Sequence, residues 1–145
     1  MDFALLDSPI DPGRLRVRLQ ADSAGAFVCF EGWVRDHNEA RLVQRLDYQA
    51  YAPLAQSEGE RILAEARQRF AIFDARCVHR VGSLAVGELA VWVGVSSGHR
   101  DAAFAACRYI IDEVKQRVPI WKNEHYVDGD SGWLHPDNTP VVEAG

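Results

Sequence analysis

The stretch from Leu89 to Val127 constrains the fold more than any other part of this chain. Its first piece, Leu89 to Ser96, sets Val91, Val93 and Val95 on one side and Ala90 and Trp92 on the other, so both faces of a strand are expected to be covered. Beyond Gly98 the apolar period changes to that of a helix running from about His99 to Gln116. Ala103, Cys107, Ile110, Ile111 and Val114 form its stripe. Pro119 ends the helix, and Ile120 to Val127 reads as a strand closed by the turn Asp128-Gly129-Asp130-Ser131-Gly132 ahead of Trp133. A covered strand, an amphipathic helix and a further strand together need helices packed on a sheet.

The rest of the chain extends the same plan. Phe3 to Leu6 reads as a short strand, and Asp11 and Pro12 supply an N-cap and a first-turn proline for a helix reaching about Gln20. Ala26 to Val34 alternates as a mostly buried strand and runs into the polar loop Arg35-Asp36-His37-Asn38. Val43 to Tyr51 is a second strand, halted by Pro53. Ala55, Gly59, Ile62, Leu63, Ala66 and Phe70 then share one helical face, with Glu58, Arg61, Glu65 and Gln68 on the other. Strands at Ala75 to Val81 and Leu89 to Ser96 are joined through a turn-like segment from Gly82 to Gly87. The expectation is an α+β fold with two or three helices on strand pairs. One domain is expected over residues 1–136, with a flexible tail at 137–145.

With 48% hydrophobic and 26% charged residues over 145 positions, the chain has material for one sizeable core. A net charge of -5 argues against a surface that coats nucleic acid. No basic leader and no run of about 18 apolar residues is present, so no membrane partner and a cytoplasmic setting are expected. Cys29, Cys77 and Cys107 form an odd set without a C-x-x-C pair and read as small core residues in a reducing compartment.

The positive charge is unevenly made. Of 16 basic residues only two are lysines, Lys115 and Lys122. At about 100° per residue, Lys115 falls at the rim of the helix stripe beside Phe104, Arg108 and Ile111, where its stem is packed and its ammonium faces a cleft. Lys122 follows Pro119 and alternates onto the side of Ile120 and Glu124. Two lysines flanking a helix-to-strand break either converge on one point, where desolvation and mutual repulsion lower their pKa values for amine chemistry, or snorkel separately at the surface. Ser96-Ser97-Gly98-His99-Arg100 places a histidine and an arginine in the first turn of the long helix, with Ser97 as a possible cap: an anion site or a capped, solvated helix end. Arg35 ends a strand beside His37 and Asn38, where either a site residue or a solvated turn is expected.

These segments taken in order resemble one family, the large catalytic subunit of molybdopterin synthase. The matching pieces are Gly32-Trp33-Val34-Arg35 with Asn38, Tyr48-Gln49-Ala50-Tyr51, His79-Arg80 with Gly82, His99-Arg100, Lys115 with Pro119-Ile120-Trp121-Lys122 and Glu124, and Gly132-Trp133. The resemblance implies an α/β hammerhead fold and a homodimer. It also implies a small ubiquitin-like partner whose C-terminal Gly-Gly carries a thiocarboxylate, the two subunits together forming a heterotetramer. Sulfur then passes to cyclic pyranopterin monophosphate in two transfers that give the dithiolene of molybdopterin, with no bound cofactor or metal. Lys115 and Lys122 take the places of the catalytic lysines, and Arg35, His99 and Arg100 those of substrate-binding residues. The chain departs from the family pattern at Gln49, in the glycine-free loop after Asn38, and at Leu134-His135-Pro136.

Two other readings compete. A non-catalytic dimer gripping a ubiquitin-like tail or a phosphorylated ligand needs the same positive cleft but only its charge. A metal-dependent hydrolase would have to assemble His79, His99 and His125, which carry no metal-ligand spacing.

Overall fold

The computed structural model describes residues 2–141, so positions 142–145 of the expected tail lie outside the described residues. In chain order the elements are β1 (Phe3–Leu6), α1 (Pro12–Leu19), β2 (Ala26–Trp33), β3 (His37–Asn38), β4 (Arg41–Ala50), α2 (Ala52–Arg69), β5 (Ile72–Arg80), β6 (Gly82–Ala85), β7 (Leu89–Ser97), α3 (Arg100–Arg117), β8 (Ile120–Tyr126) and β9 (Gly129–Leu134). Asp11 caps α1 through its side chain, and Pro12 opens the helix, as expected from their residue types.

The first sheet has the strand order β1-β5-β7-β2, with β1 parallel to β5 and the other pairs antiparallel. β7 lies inside it, and its alternation sorts its side chains to two different cores. Val91, Val93 and Val95 meet Ile62, Leu63 and Ala66 of α2 and Ala103, Ala106 and Ile110 of α3. Trp92 points the other way, onto Leu19, Ile10 and Val78 beneath α1. Ile62, Leu63 and Ile110 are fully buried, and each contributes about 1.5–3 kcal/mol by leaving water. Gly59 lets α2 settle directly on β1, since a Cβ there would stand 2.2 Å from the Phe3 ring.

The second sheet is organised around β4, which pairs with β3, β6 and β8, while β9 adds to β8. The β4–β8 register sets Tyr48 opposite Lys122 and Leu46 opposite Glu124. α3 closes at Val118, whose N–H still reaches the Val114 carbonyl, and Ile120 then begins β8. The end of α3 therefore lies directly over the start of β8.

Several local expectations change. The segment after Val81 contains β6, and the turn after β8 leads into the paired strand β9. β2 is an edge strand, so Cys29, Phe30 and Trp33 are exposed and Cys29 is no core residue. Ser97 does not cap α3. It is buried at the end of β7 and its hydroxyl donates to the His99 carbonyl, while His99 occupies the cap position without a side-chain bond. Residues 135–141 turn back on β9, with His135 N–H donating to Thr139 O and Val141 N–H to Trp133 O. No helix among the described residues is long and apolar enough to cross a membrane.

Candidate functional site

Lys115, in the last turn of α3, and Lys122, three residues into β8, face one another across the helix-to-strand break. Both line a cleft of about 300 Å³ together with Arg35, Asn38, Tyr48 and Glu124. Three of the residues singled out from sequence thus meet in one place. Three cationic side chains share that cleft with one carboxylate, so it is positively charged within a protein of net charge -5. Lys115 is reachable from solvent, yet its ammonium is held below the ordinary lysine range, first by desolvation and second by the charge of Lys122.

Lys122 stands in a different setting. Its Nζ lies 3.5 Å from Glu124 Oε1, with the two side chains only 17% and 6% exposed. Glu124 is a hub. Asn38 Nδ2 donates to its Oε2 at 2.9 Å and the Tyr126 hydroxyl donates to the same oxygen at 2.6 Å. Desolvation pushes the Glu124 carboxyl up, but Tyr126, Asn38 and Lys122 outweigh it and hold the group below the usual range. Glu124 is therefore ionised and fixes Lys122 from below. Its signal in the sequence was the i, i+2 spacing from Lys122, which puts both on one face of β8.

A second, smaller cavity of about 30 Å³ lies beneath the lysines and is lined by Tyr48, His79, Val91, Ile111, Lys115 and Lys122 among others. Besides the lysines its polar members are Tyr48 of β4 and His79 of β5, and sequence reasoning gave neither a place beside the lysines. Burial, with the Glu124 charge second, pushes the Tyr48 phenol up to about 12, so it stays protonated. On the other side of Lys115, a third cleft of about 380 Å³ runs past Val118, Pro119 and Trp121 to His135 and Thr139.

His99 and Arg100 do not reach this site within one chain. They are exposed at the start of α3, about 22 Å along the helix from Lys115. The histidines considered as a metal set are also apart. His79 Nδ1 donates to the Arg80 carbonyl at 2.7 Å, His125 Nε2 lies 2.6 Å from Asp47, and His99 sits at the α3 cap. Among the described residues no three His, Cys, Asp or Glu side chains gather at one point.

Comparison with known proteins places the chain in context. Residues 5–117 match the family model described as MoaE protein. The chain is 48% identical over 124 residues to a molybdopterin synthase catalytic subunit of Pyrococcus abyssi, covering 85% of this chain and 83% of the relative. It is 40% identical over 129 residues to the protein of that name from Thermoplasma volcanium, covering 89% and 94%. Among solved structures it resembles molybdopterin synthase from Staphylococcus aureus, with a TM-score of 0.87, 34% identity and coverage of 92% and 97%. A complex of subunits 1 and 2 of molybdopterin-converting factor from Helicobacter pylori shares the fold at 21% identity, with a TM-score of 0.74 and coverage of 90% and 88%.

Proposed function

This chain belongs to the MoaE protein family, that of the molybdopterin synthase catalytic subunits, and from that membership and its lysine cleft we propose that it transfers sulfur to a phosphorylated pterin. The donor is the C-terminal thiocarboxylate of a small ubiquitin-like partner, the acceptor is cyclic pyranopterin monophosphate, and the product is the dithiolene of molybdopterin. The observation that carries the reading is the convergence of Lys115, Lys122 and Arg35 on one cleft. A thiocarboxylate and a cyclic phosphate both bring negative charge, which this cleft complements.

The two lysines divide the work by their surroundings. Lys115, crowded by apolar walls and a second ammonium, is an amine whose hold on its proton is weakened, and it faces the acyl carbon of the thiocarboxylate. As the acyl carbon–sulfur bond breaks and sulfur stays on the pterin, Lys115 stabilises the acyl group or captures it until water releases the tail as a carboxylate. Lys122, fixed by the ionised Glu124, holds the pterin and its phosphate with Arg35 and passes protons within the cleft. The clefts on either side of Lys115 suit two ligands meeting at its amine. The polar one with Arg35 takes the pterin, and the more apolar one along Val118 and Trp121 takes the partner's extended tail.

His99 and Arg100 join this scheme through a second copy of the chain. They lie about 22 Å from their own Lys115, so a role in substrate binding places them at the site of the partner subunit in a homodimer. Mixing the protein with a thiocarboxylated partner and cyclic pyranopterin monophosphate tests the reading, with dithiolene product expected. Tail binding without product would overturn it in favour of a binding module.

A further inference from the structure

His79 is a buried ionisable side chain beside the lysines that the sulfur-transfer scheme leaves without a task. It is 9% exposed, on the face of β5 that meets the Lys115 end of α3, and its ring packs edge-on against Tyr48 with centroids 4.9 Å apart. Because a carbonyl oxygen only accepts, the 2.7 Å contact to Arg80 O puts the ring proton on Nδ1. The remaining polar atom, Nε2, carries a lone pair and belongs to the ring that walls the small cavity under the lysines.

That cavity has the room and the chemistry to hold a water. Its volume is about 30 Å³, above the roughly 10–15 Å³ that one water requires. A buried water also needs about two to four polar partners, and the lining offers the His79 imidazole, the Tyr48 hydroxyl and the ammonium groups of Lys115 and Lys122. The remaining walls, including Val91 and Ile111, are apolar and give the ammonium of Lys115 nothing to bond. Donors and acceptors balance: a water can donate to Nε2 and to the Tyr48 oxygen while accepting from the two lysines.

We propose that this cavity binds one structural water, anchored by His79 Nε2 and accepting a hydrogen bond from Lys115, so that His79 is the positioning residue for the reacting lysine. The inference rests on the reading of Lys115 as that lysine. A neutral imidazole is required, since a protonated ring would lack an acceptor and would face two ammonium groups. Desolvation and the nearby Lys115 charge push His79 down to about 4, although its bond to the Arg80 carbonyl opposes this, which keeps the ring neutral in the working range.

Two measurements test this. A crystal structure of the full chain, at a resolution that orders waters, is expected to show one water within hydrogen-bond distance of both His79 Nε2 and Lys115 Nζ. A dry cavity, or a water that does not touch Nε2, overturns the proposal whether or not the protein proves to be a sulfurtransferase. In the reconstituted reaction, His79→Leu is expected to lower kcat by about 10- to 100-fold with little change in KM, through loss of lysine positioning. His79→Gln, which retains an acceptor, is expected to recover most of that loss. Full activity in the Leu variant, or equal loss in both, overturns the positioning role. A wild-type protein that makes no dithiolene would instead count against the sulfur-transfer reading, while the crystal structure still decides the water.

Discussion

Lys115 meets apolar walls and a second ammonium, whereas Lys122 lies 3.5 Å from an ionised carboxylate that two other side chains hold in place. The same residue type thus stands in two different environments, which is the basis for the two roles proposed. Lys115→Arg keeps the charge but removes a deprotonatable amine, so it is expected to lower dithiolene formation by about 10²–10⁴-fold, as severely as Lys115→Ala. Near-normal turnover of the Arg variant in the reconstituted assay would show that charge alone suffices. His79 carries a stability prediction. Desolvation lowers its folded pKa to about 4 from 6.5, so between those values the unfolded chain binds the extra proton and stability falls as pH falls. The loss accumulates from about pH 6.5 to about pH 4, reaching about 3 kcal/mol at most. Urea midpoints across that window are expected to fall more steeply for the wild type than for His79→Gln, and parallel curves would refute the assignment. At this scale both lysines and Arg35 were visible in the sequence. Glu124 was visible as the neighbour of Lys122 on one face of β8, whereas its bond to Asn38, 86 residues away, and the place of His79 beside Tyr48 and Lys115 depend on elements that only the fold brings together.

The three helices and the long strands were legible as elements because each carries a full period of apolar residues along its own length. β3, β6 and β9 were not, since none carries an apolar period of its own: β6 is held by β4, distant in sequence, and β3 and β9 are short hairpin partners of β4 and β8. The β3–β4 hairpin illustrates a local rule broken. Glu39 and Ala40 both adopt positive φ, 50° and 65°, where glycine or asparagine is the usual occupant, and the loop was already notable for lacking a glycine. Replacing Glu39-Ala40 by Asn-Gly is expected to stabilise the protein by about 1 kcal/mol, seen as a higher urea midpoint with an unchanged slope. An unchanged or lower midpoint would mean that the turn relaxes at no cost. Asn38, directly before this turn, donates to Glu124, so the hairpin also sets one wall of the lysine cleft.

For the molecule as a whole, α3 acts as a spacer. Its 18 residues place Lys115 at one end and His99 and Arg100 at the other, so in the proposed dimer one chain would contribute to two different sites. For the proposed homodimer, co-expression of Lys115→Ala with Arg100→Ala chains is expected to recover about a quarter of wild-type activity, because half of the dimers would be mixed and each mixed dimer would hold one intact site. No recovery from two chains that are each inactive would place Arg100 at its own chain's site. The sequence by itself determined the α+β class, the course of the helices and the family, because periodicity and short motifs are properties of neighbouring residues. It also marked the two lysines, flanking a proline that no helix can cross. Only the tertiary structure decided that Arg35 joins them while His99 and Arg100 of the same chain do not, that Glu124 pairs with Lys122, and that His79 lines the cavity beside both lysines. Those facts follow from strand pairing and helix length, which bring together or separate side chains regardless of how near they stand in the chain.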